Sequence, residues 1–170
     1  KHGFRQPIPV GLGGGIATPD AAAAAFAMGA AYVLTGSVNQ ACVEAGASAH
    51  TRNLLAKADM ADVSMAPSAN MFEMGVKVQV LKRGTMFPMR AQKLYELYQE
   101  YASIEDIPAA ERAKLEKQVF RRSLDDIWQD TVSFFQERDP RQIERTNDNP
   151  KRKMALIFRW YLGLSSRWSN

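Results

Sequence analysis

Two groups of glycines stand directly after apolar runs near the beginning of this sequence. Gly13-Gly14-Gly15 follows the run Ile8–Leu12, and Thr35-Gly36-Ser37 follows the run Ala31–Leu34. Glycine has no Cβ, so a ligand can approach its backbone N–H group closely. A helix that begins after such a turn adds unpaired N–H groups and a partial positive charge. The two turns therefore predict an anion site, most simply for phosphate.

Helices are predicted to begin after both glycine groups. Thr18 is a favourable N-cap, Pro19 suits the first helical position, and Asp20 suits the positive end of a helix. A second, short helix is predicted from Ser37 or Asn39. The second apolar run is predicted to be a strand buried on both faces. Strands and helices that alternate with short connections indicate a parallel α/β unit, which brings both glycine turns to one sheet edge.

Four interpretations of this edge are considered. A dinucleotide-binding Rossmann turn that starts at Gly11 needs a third glycine where Ile16 stands, and an acid where Thr35-Gly36-Ser37 ends the second strand. A P-loop needs a Gly-Lys-Ser/Thr sequence, which is absent. A (β/α)8 barrel fits better, because it commonly binds phosphate at the loops after strands seven and eight. Glycines that only make tight turns are the remaining alternative.

The rest of the chain, from residue 50, is charged and predicted to be mostly helical. Small residues at Ala66-Pro67-Ser68 predict an irregular break. One helical turn is predicted at Met71–Met74 and a short strand at Lys77–Leu81. Apolar spacing and capping residues predict further helices at Thr51–Lys57, Pro88–Tyr101, from Pro108, Leu124–Gln136 and Lys151–Leu162.

Long strings in both parts of the chain resemble one family. The stretch GLGGGIATPDAAAAAFAMGAAYVLTGSVNQACVEAG is similar to the end of the flavin barrel in nitronate monooxygenase-like proteins and flavin-dependent enoyl reductases. APSANMFEMGVKVQVLKRGTMFPMRAQKLYELY and PKRKMALIFRWYLGLSSRW resemble the PfaD-type trans-acting enoyl reductases of polyunsaturated fatty acid and polyketide synthases. The resemblance extends over nearly the whole chain.

The resemblance implies a fold, a reaction and a cofactor site. These proteins hold FMN in a (β/α)8 barrel and use NADPH to reduce the enoyl double bond of a chain bound to an acyl carrier protein. Gly13, Gly14, Gly15 and Ile16 match the phosphate loop after strand seven, and Gly36 and Ser37 match the loop after strand eight. Residues 1–49 are then the end of the barrel, and residues 50–170 a mostly helical region.

The same resemblance implies that the chain is a fragment. The first six strand-helix units, most contacts to the flavin ring and the proton donor are expected upstream of Lys1, so no catalytic residue is assigned here. The alternatives are a non-catalytic element for docking or dimerisation, which includes a possible homodimer, and a nitronate monooxygenase-like flavin oxidoreductase.

Basic and methionine-rich segments suggest contacts with the substrate or the carrier protein. Lys151-Arg152-Lys153 and a second basic group are interpreted as candidate docking sites for an acidic carrier protein. Six methionines are predicted to fill the core, with an acyl-chain pocket as the alternative. The second basic group is Lys77, Lys82, Arg83 and Arg90, and the methionines are Met60, Met65, Met71, Met74, Met86 and Met89.

Composition narrows the remaining possibilities. The net charge of +4 is mild and lacks the interleaved aromatic residues of a nucleic-acid site. The only cysteine, Cys42, is predicted to be buried; it allows no internal disulfide and suits a cytoplasmic protein. His2 and His50 have no ligand partners at metal-binding spacing. No apolar run is long enough to span a membrane, and no secretory signal is evident.

Overall fold

A computed structural model describes residue 3 and residues 6–165. This α/β chain divides into two compact units, the first ending at Lys57 and the second beginning at Ala58. The first unit therefore extends beyond residue 49, near which the composition changes. Its last helix, α2 (Ala49–Ala56), packs against a 3-10 helix at Ser37–Ala41.

The first unit is a strand-helix-strand element, as its sequence predicts. Strand β1 (Leu12–Gly13) pairs in parallel with β2 (Val33–Leu34), and helix α1 (Pro19–Ala27) connects them. The predicted cap is present, because Thr18 Oγ1 accepts a hydrogen bond from the N–H of Ala21 at 3.2 Å. Gly29 follows the helix with a left-handed φ of 94°.

The strands of the first unit are shorter and more exposed than predicted. Backbone hydrogen bonds continue the pairing outside β1 and β2, from Ala31 N to Val10 O at 2.8 Å. Leu34 is nevertheless 64% exposed, so the prediction of a strand buried on both faces is wrong for this structure. Two strands and one connecting helix offer too little apolar surface to cover both faces of the pair. Within the described part of this unit, Ala25 is the one buried apolar residue.

Cys42 and Gly11 show two further local features of this unit. Cys42 is exposed, contrary to its predicted burial, because the 3-10 helix ends directly before it and no other described element covers it. At Gly11 a Cβ atom would lie 2.3 Å from Cε2 of the Tyr32 ring. The aromatic ring therefore occupies the space that any side chain at residue 11 would need.

The second unit begins with an antiparallel hairpin. Strand β3 (Val63–Pro67) pairs with β4 (Lys77–Leu81), so that Val63 lies opposite Leu81. The predicted strand at Lys77–Leu81 is confirmed as β4. The sequence predicts an irregular break at Ala66-Pro67-Ser68, because proline and small residues are typical of loops, but Ala66 and Pro67 belong to β3. A 3-10 turn at Phe72–Met74 lies between the strands, close to the predicted helical turn.

Helices complete the second unit around one core. They are α3 (Phe87–Glu100), α4 (Ala109–Lys114), α5 (Leu124–Arg138), α6 (Arg141–Glu144) and α7 (Pro150–Ser165). Helix α3 packs against β3 and α7, and α5 packs against α7. Helix α7 is buried over the continuous run Met154–Phe158 and again at Tyr161 and Leu162, so other elements cover it on more than one side. The core includes Phe72, Leu94, Leu97, Ile127, Met154, Ile157, Phe158 and Tyr161.

One segment of the second unit departs from regular helix. Residues Leu115–Phe120 form a π-helix directly after α4, and Arg121 follows in the left-handed region with a φ of 56°. Apolar spacing predicts a helix here but not its type. Among the described residues, no helix has the length and apolar character needed to cross a lipid bilayer.

Candidate functional site

The two glycine turns lie at the same edge of the first sheet. Leu12 is in register with Val33, and Gly13 with Leu34, in a parallel pair. Both strands therefore leave the sheet in the same direction, one into Gly14-Gly15 and the other into Thr35-Gly36-Ser37. This is the juxtaposition that the sequence predicts for the anion site.

The backbone at this edge offers hydrogen-bond donors without partners. Among the described residues, no acceptor is found for the backbone N–H groups of Gly15, Ile16, Gly36 or Ser37. Gly14 and Gly15 have left-handed φ angles of 91° and 69°. Successive N–H groups in such turns form concave sites for anions. The left-handed conformation at Gly14 and Gly15 is of the kind found in such sites.

The surface at these turns is open to a ligand. A Cβ atom placed at Gly14, Gly15 or Gly36 would have no other atom within 4 Å. At Gly13 it would lie 3.3 Å from Cβ of Leu34, so this glycine also permits close packing of the two strands. The residues therefore fit a phosphate group, which needs close approach to several backbone donors.

Side chains near the turns hold the second loop in place. The amide of Asn39 donates to the carbonyl of Thr35 at 3.3 Å, and the Thr35 hydroxyl lies 3.1 Å from Asn39 Oδ1. The sequence indicates Asn39 only as a possible helix start and does not predict its contact with Thr35. The spacing of four residues between Thr35 and Asn39 is the signal that allows this contact. Asp20, in the first turn of α1, offsets part of the positive potential there. The backbone donors of the loops are therefore the principal attraction for an anion.

The basic cluster of α7, for which the sequence suggests carrier-protein docking, makes contacts within the second unit. Lys151 Nζ donates to the carbonyls of Tyr98 and Tyr101 and lies 4.4 Å from the centre of the Tyr98 ring. Burial lowers the pKa of Lys151. Arg152 lies 3.5 Å from a carboxylate oxygen of Glu73, and Lys153 lies 3.1 Å from one of Glu105. These cations stabilise the second unit itself.

The methionines between residues 60 and 89 are on the surface. The prediction that they fill the core is wrong: Met60 is 85% exposed, and even the most covered of them, Met71, is 42% exposed. The core positions of this segment are instead occupied by Ala66 and Phe72, with Ala91 just beyond it. The short hairpin has one face against α3, which leaves its ends and other face to solvent.

A cavity of about 420 Å³ lies between α5 and α7. Phe134, Phe135 and Trp160 form its apolar wall, and its charged residues Asp130 and Arg159 are ion-paired with Arg122 and Glu73. Its charged groups are therefore engaged within the protein. In the described ranges no group of three His, Cys, Asp or Glu residues could hold a metal ion, and His2 lies outside those ranges.

Comparisons with known proteins relate the chain to lipid and polyketide synthesis. It is 52% identical over 165 residues to a polyunsaturated fatty acid synthase protein of Thraustochytrium sp., a match that covers 96% of this chain and 11% of that protein. It is 50% identical over 167 residues to polyketide biosynthesis protein PksE of Bacillus subtilis, covering 98% of this chain and 21% of that protein. The chain is a homologue of one segment of these synthase proteins.

Structural comparison agrees with this relationship. The enoyl reductase domain of MlnA, from the macrolactin biosynthesis cluster of Bacillus amyloliquefaciens, superimposes with a TM-score of 0.88 and 40% identity. The match covers 98% of this chain and 37% of that chain. A family model described as the inserted helical domain of [acyl-carrier-protein] S-malonyltransferase matches residues 101–170. The predicted relationship to the enoyl reductases of these synthases is confirmed by similarity of sequence and structure.

Proposed function

We propose that this chain is the closing segment of an FMN-dependent enoyl reductase that acts on acyl chains bound to a carrier protein, with NAD(P)H as the reductant. Residues 1–49 would supply the last two strand-helix units of a (β/α)8 barrel, and the remaining six would lie in a preceding segment. The helical region would complete the domain. The enoyl reductase domain of MlnA supports this, since it is similar over nearly all of this chain and extends well beyond it.

One observation carries the proposal. The free backbone N–H groups of Gly15, Ile16, Gly36 and Ser37 stand at adjacent ends of two parallel strands. Gly13, Gly14 and Gly15 would leave room for the FMN phosphate, which these donors would bind. Bound FMN would supply hydride transfer to the enoyl double bond. The residues of this chain bind and orient the phosphate end.

The test is flavin binding by a protein in which this chain follows the other six strand-helix units. We expect Gly15→Val to raise the Kd for FMN by about tenfold or more, because a β-branched residue does not adopt a left-handed φ readily and covers the donors. Gly46→Val is the matched control, since Gly46 has open space around it and no left-handed φ. Flavin fluorescence quenching measures both.

The 170-residue chain by itself should be colourless and inactive. Stoichiometric flavin absorbance in this chain alone would contradict the need for a preceding segment. Equal FMN affinity of the Gly15→Val and Gly46→Val proteins would contradict the phosphate site. Oxidation of nitroalkanes in place of NADPH-dependent reduction of a crotonyl thioester would favour the nitronate monooxygenase-like alternative.

A further inference from the structure

We propose that one end of the β3–β4 hairpin is the docking surface for the acidic carrier protein. This surface consists of Met60, Lys82, Arg83, Met86, Met89 and Arg90, and is called the methionine end below. The inference rests on the proposed function for the identity of the partner. It replaces Lys151–Lys153 as the docking site.

The hairpin brings the parts of this surface together. The carbonyl of Asp62, just before β3, accepts hydrogen bonds from the N–H groups of Lys82 at 2.8 Å and Arg83 at 3.4 Å, just after β4. The Arg83 guanidinium also lies 3.2 Å from the Asp62 carboxylate. The segment that carries Met60 is thereby tied to the segment that leads into α3.

The apolar part of the surface is formed by exposed thioether side chains. Met60, Met86 and Met89 are 85%, 51% and 65% exposed. In the described part of the second unit, Phe134 is the one strongly exposed large apolar residue outside residues 60–89. Exposed apolar groups with a polar rim mark interaction sites, and methionine adapts to partners of irregular shape.

Among the described residues, two of the three cations of the methionine end, Lys82 and Arg90, are uncompensated, whereas Arg83 is paired with Asp62. Within residues 6–165, no carboxylate lies within ion-pair distance of Lys82 or Arg90. Arg90 lies in the first turn of α3, where the helix dipole is already positive and no acidic residue is present. A cation there does not help the helix, but it adds to a local potential that attracts an anionic partner.

These two properties select the kind of partner. An acidic protein surface with an apolar stripe complements exposed methionines bordered by cations. A single-stranded nucleic acid would need aromatic side chains for base stacking, and the residues of the methionine end provide none. The α7 cluster is less suited to this role, because all three of its cations have partners within the protein, namely Glu73, Glu105 and two carbonyls.

The experiment measures binding of a purified holo acyl carrier protein carrying a crotonyl group to the full 170-residue chain. We expect the double variant Lys82→Glu/Arg90→Glu to weaken binding by about tenfold or more and to reduce its salt dependence. Met86→Ser/Met89→Ser should weaken binding by about tenfold but keep the salt dependence. Calorimetry at two ionic strengths gives both quantities.

Matched controls separate docking from folding. Lys117→Glu alters an exposed lysine on the π-helix, and Met74→Ser alters a methionine, 76% exposed, near the other end of the hairpin. Both controls should bind the carrier protein like the wild type, and all variants should keep the wild-type circular dichroism spectrum. The proposal is overturned if the two double variants bind the carrier protein as tightly as the controls do. It is also overturned if the double variants lose binding to a DNA duplex but keep binding to the carrier protein.

An activity measurement distinguishes failure of the docking proposal from failure of the proposed function. In the protein with the complete barrel, the rate ratio for carrier-bound over free crotonyl-pantetheine substrate should fall about tenfold in the Lys82→Glu/Arg90→Glu variant. If the wild type reduces neither substrate, the proposed function fails while the binding assay still decides the docking surface. If both substrates are reduced and the ratio does not change, the docking surface is wrong.

Discussion

At the scale of single residues, Gly75 and Gly84 form a natural pair for a test. Both have left-handed φ angles, 72° and 73°, but a Cβ at Gly75 would lie 2.3 Å from the Tyr95 hydroxyl, whereas Gly84 has open space. Gly84→Ala should cost about 1 kcal/mol of unfolding free energy from backbone strain alone. Gly75→Ala should cost about 2–3 kcal/mol, because the packed Tyr95 ring must also move.

Urea unfolding followed by tryptophan fluorescence measures this difference. The double variant Gly75→Ala/Tyr95→Phe should recover part of the extra cost, since it removes the hydroxyl that the new Cβ meets. Tyr95 is held by an edge contact with Phe72 at 5.5 Å between ring centres, which limits its ability to rotate away. An equal cost for the two single glycine variants would show that the ring moves without penalty.

The residue scale also shows where sequence reasoning succeeds. The cap at Thr18 and the turn at Gly29 follow from the local chain, because hydrogen bonding over three residues and a left-handed φ depend on near neighbours. The exposure of Cys42 and of the methionines does not follow from neighbouring residues in the sequence. It depends on which other elements cover a position, and residue type gives only an average tendency for burial.

At the scale of elements, Lys151 joins the beginning of α7 to the end of α3. The last carbonyls of a helix have no partners within that helix, and Lys151 supplies donors to those of Tyr98 and Tyr101. Lys151→Met retains the length of the side chain but removes the donors. It should lower the free energy of unfolding by about 1–2 kcal/mol.

Lys117→Met provides the comparison, since Lys117 is exposed on the π-helix. It should change the free energy of unfolding by less than about 0.5 kcal/mol. Chemical denaturation of both variants measures the difference. Similar stabilities of the two variants would mean that the ammonium group of Lys151 contributes nothing net to the helix contact.

The elements differ in how far their own sequences predict them. Helices α3, α5 and α7 begin and end close to the predicted residues, since their apolar spacing and caps are strong local signals. Strand β3 is not predicted, because its partner β4, and not its own composition, makes it a strand. The π-helix is not predicted either, because its hydrogen bonds differ from those of an α-helix while the apolar spacing looks the same.

At the scale of the whole molecule, the two units differ in how much they bury. The second unit contains the core cluster, whereas Ala25 is the one buried apolar residue described in the first. We therefore expect limited trypsin treatment to cut first after Arg52 and Lys57 and to leave a stable product that begins at Ala58. Mass spectrometry identifies the cut, and early cleavage within α5 or α7 would contradict this difference in stability.

The contact between Gly11 and Tyr32 ties together two positions that are distant in sequence. The ring fills the place of a side chain at residue 11, since its Cε2 atom lies only 2.3 Å from the position that a Cβ would take. A larger residue at 11 would require the Tyr32 ring to move aside or to be replaced by a smaller side chain. Across related proteins, an aromatic ring at the second position should therefore occur together with glycine at the first.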